Sequence, residues 1–188
     1  ATGRWGRLDI LHNNVGISVA GGDAEISQIE GEAFDRIMAI NLKSMVLAIK
    51  HALPVMRAQQ SGKIINISST AAHEDYPWVT YKASKAAPKS MTEQVALQNA
   101  PHGIRVNCIQ PGLMNTPMAV DARMDAWNMT REEVVAMRDA KVPLGNRMGT
   151  AWDVANAALF LVSEEARFIT GVTPVSYTHL TLPTIVSV

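Results

Sequence analysis

Short apolar runs alternate with long helical-period stretches along this chain. Leu8-Asp9-Ile10-Leu11-His12 is a brief apolar run closed by Asn13-Asn14-Val15-Gly16, which reads as a strand followed by a turn. Ser27-Gln28-Ile29-Glu30 has the spacing of a capping box. After it Phe34, Ile37, Met38, Met45, Ile49, Leu53 and Met56 recur at helical intervals until Ser61-Gly62. Lys63-Ile64-Ile65-Asn66-Ile67 is β-branched and ends in Ser68-Ser69-Thr70, a second strand. A second long helix is expected from about Val79 to Leu97, broken by Pro101-His102-Gly103. Ile104-Arg105-Val106-Asn107-Cys108-Ile109 is the third strand, stopped by Pro111-Gly112. A helical stretch, Thr116 to Ala140, and an amphipathic helix, Asp153 to Ser163, complete the pattern.

Strands alternating with long helices imply crossover connections, hence an α/β fold with a parallel sheet covered on both faces. Ligands of such sheets bind at the carboxyl ends of the strands. Here those ends are Asn13–Gly16, Ser68–Thr70 and Gln110–Gly112, all polar or glycine-rich.

Composition narrows the function classes. The 188 residues are 47% apolar and 18% charged, which suits one folded domain and argues against disorder. A formal net charge of zero gives no reason to expect nucleic acid or an acidic membrane as partner. No apolar run reaches the length of a membrane span. One cysteine, Cys108, excludes an internal disulfide and fits a cytoplasmic setting. The histidines show no metal-ligand spacing, and there is no Gly-x-Ser-x-Gly elbow.

Three features carry chemistry. Tyr81 and Lys85 lie four apart and share a helix face, where an ammonium would favour the phenolate; the plain alternative is a surface tyrosine over a solvated lysine. Asn41 falls on the apolar face of its helix between Met38 and Met45. A buried amide must find partners there, as an ordinary core asparagine also would. Ser68 and Ser69 close the middle strand, where a hydroxyl could hold a substrate carbonyl or simply end the strand in a turn.

In this order and on these elements, the residues resemble the short-chain dehydrogenase/reductase family over about Trp5 to Gly171. Asn13-Asn14-Val15-Gly16 is similar to the family's Asn-Asn-Ala-Gly strand end, and Asn41-Leu42 to its helix asparagine. Asn66-Ile67-Ser68-Ser69 is similar to the serine strand, and Tyr81-Lys82-Ala83-Ser84-Lys85 to the Tyr-x-x-x-Lys pair. Arg105-Val106-Asn107 with Pro111, Gly112 and Thr116 is similar to the segment flanking the nicotinamide, and Ile169-Thr170-Gly171 to the approach to the last strand.

The resemblance implies a Rossmann-like doubly wound sheet and an NAD- or NADP-dependent oxidoreductase interconverting a ketone and a secondary alcohol. It implies Tyr81 as acid/base, Lys85 lowering its pKa and binding the nicotinamide ribose, a serine polarising the carbonyl, and Asn41 holding a relay water. Asn13, Asn14, Val15, Gly16, Tyr81, Lys85, Pro111, Gly112 and Thr116 become the expected cofactor contacts. His73, Tyr76, Trp78 and Met114 become expected substrate walls, suited to a cyclic or apolar alcohol, with Thr116 to Ala140 as a lid. The family further implies a homotetramer or dimer built on the helices bearing Asn41 and Tyr81. The alternatives are a non-catalytic NAD(P) sensor or partner-binding protein of the same fold, which would be expected to lose the Tyr–Lys pair, and an inert fragment.

The chain also departs from the family. The glycine-rich turn that holds the pyrophosphate is missing, so the sheet is expected to lack its first strands. Strand register assigns the active serine to Ser69, whereas counting back from Tyr81 gives Ser68; Ser69 is preferred because packing sets register and loops absorb deletions. Pro88 removes a hydrogen bond to Ser84 inside the catalytic helix and is expected to kink it there. Val175-Ser176-Tyr177-Thr178-His179-Leu180 replaces the family's last strand and resembles translated sequencing-adapter sequence. The expected organisation is therefore a partial domain over 1–173 and a non-native tail over 174–188 that forms no last strand.

Overall fold

In a computed structural model, residues 2–175 are described. After a single turn, α1 (Thr2–Trp5), come strand β1 (Ile10–Asn13), helices α2 (Gly31–Met38) and α3 (Ser44–Gln59), and strand β2 (Gly62–Ile67). Helix α4 (Val79–Asn99), strand β3 (Ile104–Ile109) and helices α5 (Asp121–Trp127), α6 (Arg131–Asp139) and α7 (Ala151–Val162) follow. The strands form one parallel sheet in the order β1-β2-β3. Ile10 pairs with Lys63 and Asn13 with Asn66; Gly62 pairs with Ile104 and Ile67 with Ile109. This is the α/β parallel sheet that the alternation implies, with the Rossmann-like character that the resemblance implies.

The sheet's two faces carry separate cores. Met45, Ile49, Met56, Ile64, Ala96, Ile104 and Val106 bury one face under α3 and α4. Ile65, Ile67, Ile109, Ala158 and Leu161 bury the other under α7. Adjacent residues of one strand, Ile64 and Ile65, therefore serve opposite cores, as period-2 geometry requires. A third cluster of Val120, Val134, Val142 and Met148 sits beneath α5 and α6. β1 differs: its residues alternate between exposed and half-buried, and Ile10 stays 47% exposed.

Several local expectations are corrected. Ser27 makes no cap, because its amide and hydroxyl both bond the Glu25 carboxylate; α2 starts at Gly31 without a side-chain cap. The true capping boxes are Thr130 with Glu133 and Thr150 with Asp153. The first long helix is not uniform: Ala39–Lys43 forms a π turn between α2 and α3, with Asn41 inside it. α4 continues as one helix through buried Pro88, and the Ser68 hydroxyl donates to the Lys85 carbonyl one turn before it.

Beyond Ile169 the chain runs beside β3. Gly171 donates to Val106 O, Cys108 to Val172 O and Gln110 to Pro174 O, and Val175 bridges Gln110 in parallel. Pairing thus extends one residue past Pro174, because the outer edge of β3 offers amides that need acceptors. The remainder of the expected tail, 176–188, lies outside the described residues.

Candidate functional site

The carboxyl ends of β1 and β2 and the first turns of α4 converge as the sheet topology demands. Lys85 is buried, and its Nζ donates to the Ile67 carbonyl at 3.0 Å, at the end of β2. A methyl group built on Gly16 would lie 3.3 Å from that Nζ and 3.4 Å from Asn41 Oδ1. Gly16 therefore keeps the β1 end open against both residues.

Asn41 is fully buried and well partnered. Its Oδ1 accepts from Ile17 N at 2.7 Å, and its Nδ2 donates to Ile17 O at 2.8 Å and Ser84 Oγ at 2.9 Å. The wider π turn carries it inward, and such turns recur at functional sites. Asn13 Nδ2 donates to Asn66 Oδ1 at 2.9 Å, and Asn66 in turn to Thr92 Oγ1 at 2.9 Å, which ties the β1 end through β2 to α4. Asn14 and Val15 are exposed.

The two serines part company. Ser68 is buried and donates to the Lys85 carbonyl, with Gln110 Nε2 3.4 Å from its oxygen. Ser69 is half-buried, accepts from Ala71 N at 3.2 Å, and lies close enough to the Tyr81 phenol to pull its pKa down. Of the two hydroxyls, the structure brings that of Ser69 to Tyr81.

Tyr81 sits in an aromatic group. Its ring is 5.3 Å from that of Tyr76, which meets Trp78 edge-on at 5.4 Å. Burial pushes the phenol up to about 12, Tyr76 acts in the same direction, and Ser69 and the Arg123 charge oppose it. Burial also pulls Lys85 down to about 8. Burial sets the direction of the Tyr81 shift, and Lys85 does not figure in it. The Nζ is 5.7 Å from the ring centroid and spends a hydrogen bond on Ile67, so desolvation dominates both groups. The phenol stays protonated at neutral pH.

The other expected residues divide. Tyr76 and Trp78 join Tyr81, as anticipated. His73 is exposed, with its amide bonded to Thr70 O, and is not drawn into that group. Met114 is buried: it bridges Gly149, and its side chain covers that glycine so closely that a methyl group there would lie 2.7 Å from the sulfur. Its described packing is thus with the turn before α7. The Pro111 carbonyl accepts from Thr70 N at 3.0 Å, joining the half-buried Pro111–Gly112 turn to the serine loop. Thr116 Oγ1 accepts from Ala119 N at 3.3 Å at the start of the α5 region.

Sequence reasoning missed two residues. Asp23 is buried in the loop after β1, and its carboxylate accepts from Thr80 N at 3.1 Å and Tyr81 N at 2.9 Å. It caps α4 from 57 residues away, where the local N-cap, Trp78, offers no side-chain acceptor. No local spacing could signal that. Arg123 lies over Trp78, and the only cue for it was its place in the expected lid. No cluster of three or more metal-ligating side chains occurs, and no helix is long and apolar enough to cross a membrane, among the described residues.

Comparison with known proteins agrees with this fold. The family described as enoyl-(acyl carrier protein) reductase matches residues 1–176. The 2-(R)-hydroxypropyl-CoM dehydrogenase of Xanthobacter autotrophicus is 34% identical over 169 residues, which cover 89% of this chain and 65% of that protein. A 2,5-dichloro-2,5-cyclohexadiene-1,4-diol dehydrogenase of Sphingobium indicum is 39% identical over 171 residues, covering 89% and 63%. The 7alpha-hydroxysteroid dehydrogenase of Clostridium sardiniense is 37% identical over 170 residues, covering 88% and 61%. The chain thus spans somewhat under two thirds of these relatives' lengths. A structure of ElxO with NADP bound superposes with a TM-score of 0.80 at 28% identity, covering 93% of this chain and 67% of that one.

Proposed function

Since the chain belongs to the short-chain dehydrogenase/reductase family, we propose that the whole protein interconverts a ketone and a secondary alcohol with NAD or NADP. The observation that carries this is the grouping of Tyr81 and Ser69, both half-buried, with buried Lys85 at the carboxyl end of β2.

The residues present fit the nicotinamide end of such a cofactor. Gly16 leaves a gap that a side chain would fill, and the Lys85 ammonium borders it. Asn13 to Gly16, Pro111, Gly112 and Thr116 would line the rest. When bound, the dinucleotide supplies or accepts the hydride.

In the reducing direction Tyr81 donates its phenolic proton to the carbonyl oxygen, and a phenol held protonated by burial is suited to that. The Ser69 hydroxyl holds the same oxygen. The Lys85 ammonium, 5.7 Å from the ring centroid, supplies positive charge beside the phenolate that is left. Asn41 keeps one Oδ1 lone pair beyond its bond to Ile17, which is the site for a relay water. The aromatic rings of Tyr76 and Trp78 wall the substrate side. Exposed Val46 and Leu47 on α3, with Val79 and Leu97 on α4, support a dimer or tetramer built on those helices, and a cytoplasmic enzyme is part of the same reading.

The test is Tyr81→Phe in the complete protein. It should abolish nearly all turnover while cofactor binding, followed by calorimetry, persists. Retention of most of the wild-type rate would remove Tyr81 from the acid/base role.

A further inference from the structure

Two arginines near the Tyr81 group enter no ion pair among the described residues. Arg123, half-buried on α5, lies 5.6 Å from the ring centroid of Trp78 and 5.6 Å from that of Trp127. Its Nη1 donates to Ala119 O at 2.9 Å and lies 3.5 Å from Met118 O, carbonyls just before its own helix. It also reaches the Tyr76 hydroxyl, and its charge acts on Tyr81. Ion pairs among the described residues join Arg7 to Asp9, Lys63 to Glu164 and Arg131 to Asp121, and none involves Arg123.

Arg138, on α6, is only 7% exposed. Its Nε faces Met148 Sδ at 3.4 Å, a weak acceptor. Burial lowers its pKa to about 10 and the like charge of Arg123 adds to the effect, while Tyr76 and Asp139 oppose it; the Asp139 carboxylate already accepts from Met148 N at 2.7 Å. A buried cation is normally matched by an anion, and two together raise the cost of leaving both unmatched. Such a pair is favourable chiefly when something negative comes between or beside them.

Resting on the reductase reading above, we propose that Arg123, with the buried charge of Arg138 in support, seats an anionic group of the substrate at the end remote from the carbonyl. The class is a carboxylate, sulfonate or phosphate on a keto or hydroxy compound. Two indoles flank the Arg123 guanidinium, which limits its freedom and leaves fewer rotamers to lose on binding. A planar fork of donors then meets two oxyanion oxygens at once. Tyr76, Trp78 and Trp127 would flank an apolar linker between the anion and the reacting carbon. This differs from the cyclic or apolar alcohol that Met114, Tyr76 and Trp78 suggest from sequence.

The experiment uses the complete protein with levulinate and longer methyl-ketone acids, each against its methyl ester. In the wild type, kcat/KM should favour at least one acid over its ester by about tenfold or more, and salt should weaken that preference. In Arg123→Gln the ratio should fall toward one, while Arg123→Lys should keep part of it. Binding of each acid and ester is titrated in parallel through tryptophan fluorescence, with thermal melts as a check on folding. A wild type that binds acids no more tightly than esters overturns the seat. So does a ratio that Arg123→Gln leaves unchanged, or a loss equal for acid and ester, which would make Arg123 a brace between α5 and the Trp78 loop. If nothing is turned over but acids still bind more tightly in an Arg123-dependent way, the redox reading falls and the seat stands.

Discussion

Replacing Asn41 with alanine should cost the fold more than any other single truncation near the site. The side chain is fully buried and makes three hydrogen bonds, two to Ile17 and one to Ser84, all between 2.7 and 2.9 Å. At about 1 kcal/mol net per bond, their loss amounts to about 3 kcal/mol. Ser84 keeps its bond to Tyr81 O at 2.8 Å, so its hydroxyl is not orphaned. The Ile17 amide and carbonyl have no such second bond, and they push the cost upward unless water enters. Urea denaturation measures it directly. With a slope of about 2 kcal/mol/M, the midpoint should fall by about 1.5 M. Ser84→Ala, which removes one of the three bonds and also the Ser84 bond to Tyr81 O, should lose about two thirds as much. A midpoint for Asn41→Ala within about 0.3 M of wild type, at unchanged slope, would refute the claim that this amide holds the loop after β1 to the π turn and α4.

Ser69→Ala should reduce kcat of the complete protein far more than Ser68→Ala, whereas Ser68→Ala should lower the melting temperature more, since Ser68 braces the Lys85 carbonyl. The reverse order in steady-state kinetics would show that the count back from Tyr81 finds the active serine. Lys85 has a native pKa of about 8 against an ordinary 10.5, so above about pH 8 the unfolded chain binds more protons and stability rises with pH. The clean window is pH 8 to 9. Above it Cys108, raised from 9.0 to about 11, and then Tyr81, raised from 10.0 to about 12, act in the opposite sense. Denaturation midpoints should climb across that window and cease to climb in Lys85→Met; a wild-type midpoint that is flat or falling there would contradict the buried, desolvated ammonium.

Much of this protein is legible from sequence because its signals are local. β-Branched runs at Ile64–Ile67 and Ile104–Ile109 can bury both faces only as interior parallel strands, and their polar ends then have to share one edge of the sheet. The four-residue spacing of Tyr81 and Lys85 sets them on one face of α4 whatever lies around them. Tertiary structure decided what depends on residues distant in sequence. Which serine meets Tyr81 depended on how the strand end packs, since adjacent side chains on a strand point opposite ways. The protonation of Tyr81 and Lys85 turned on desolvation, which spacing does not encode. Asp23 became the cap of α4, and Arg123 the neighbour of Trp78, only once loops 57 and 45 residues apart in sequence were folded together. A carboxylate in a loop and an arginine in a helix look like solvated surface until the chain folds, because burial and charge pairing belong to the assembled molecule.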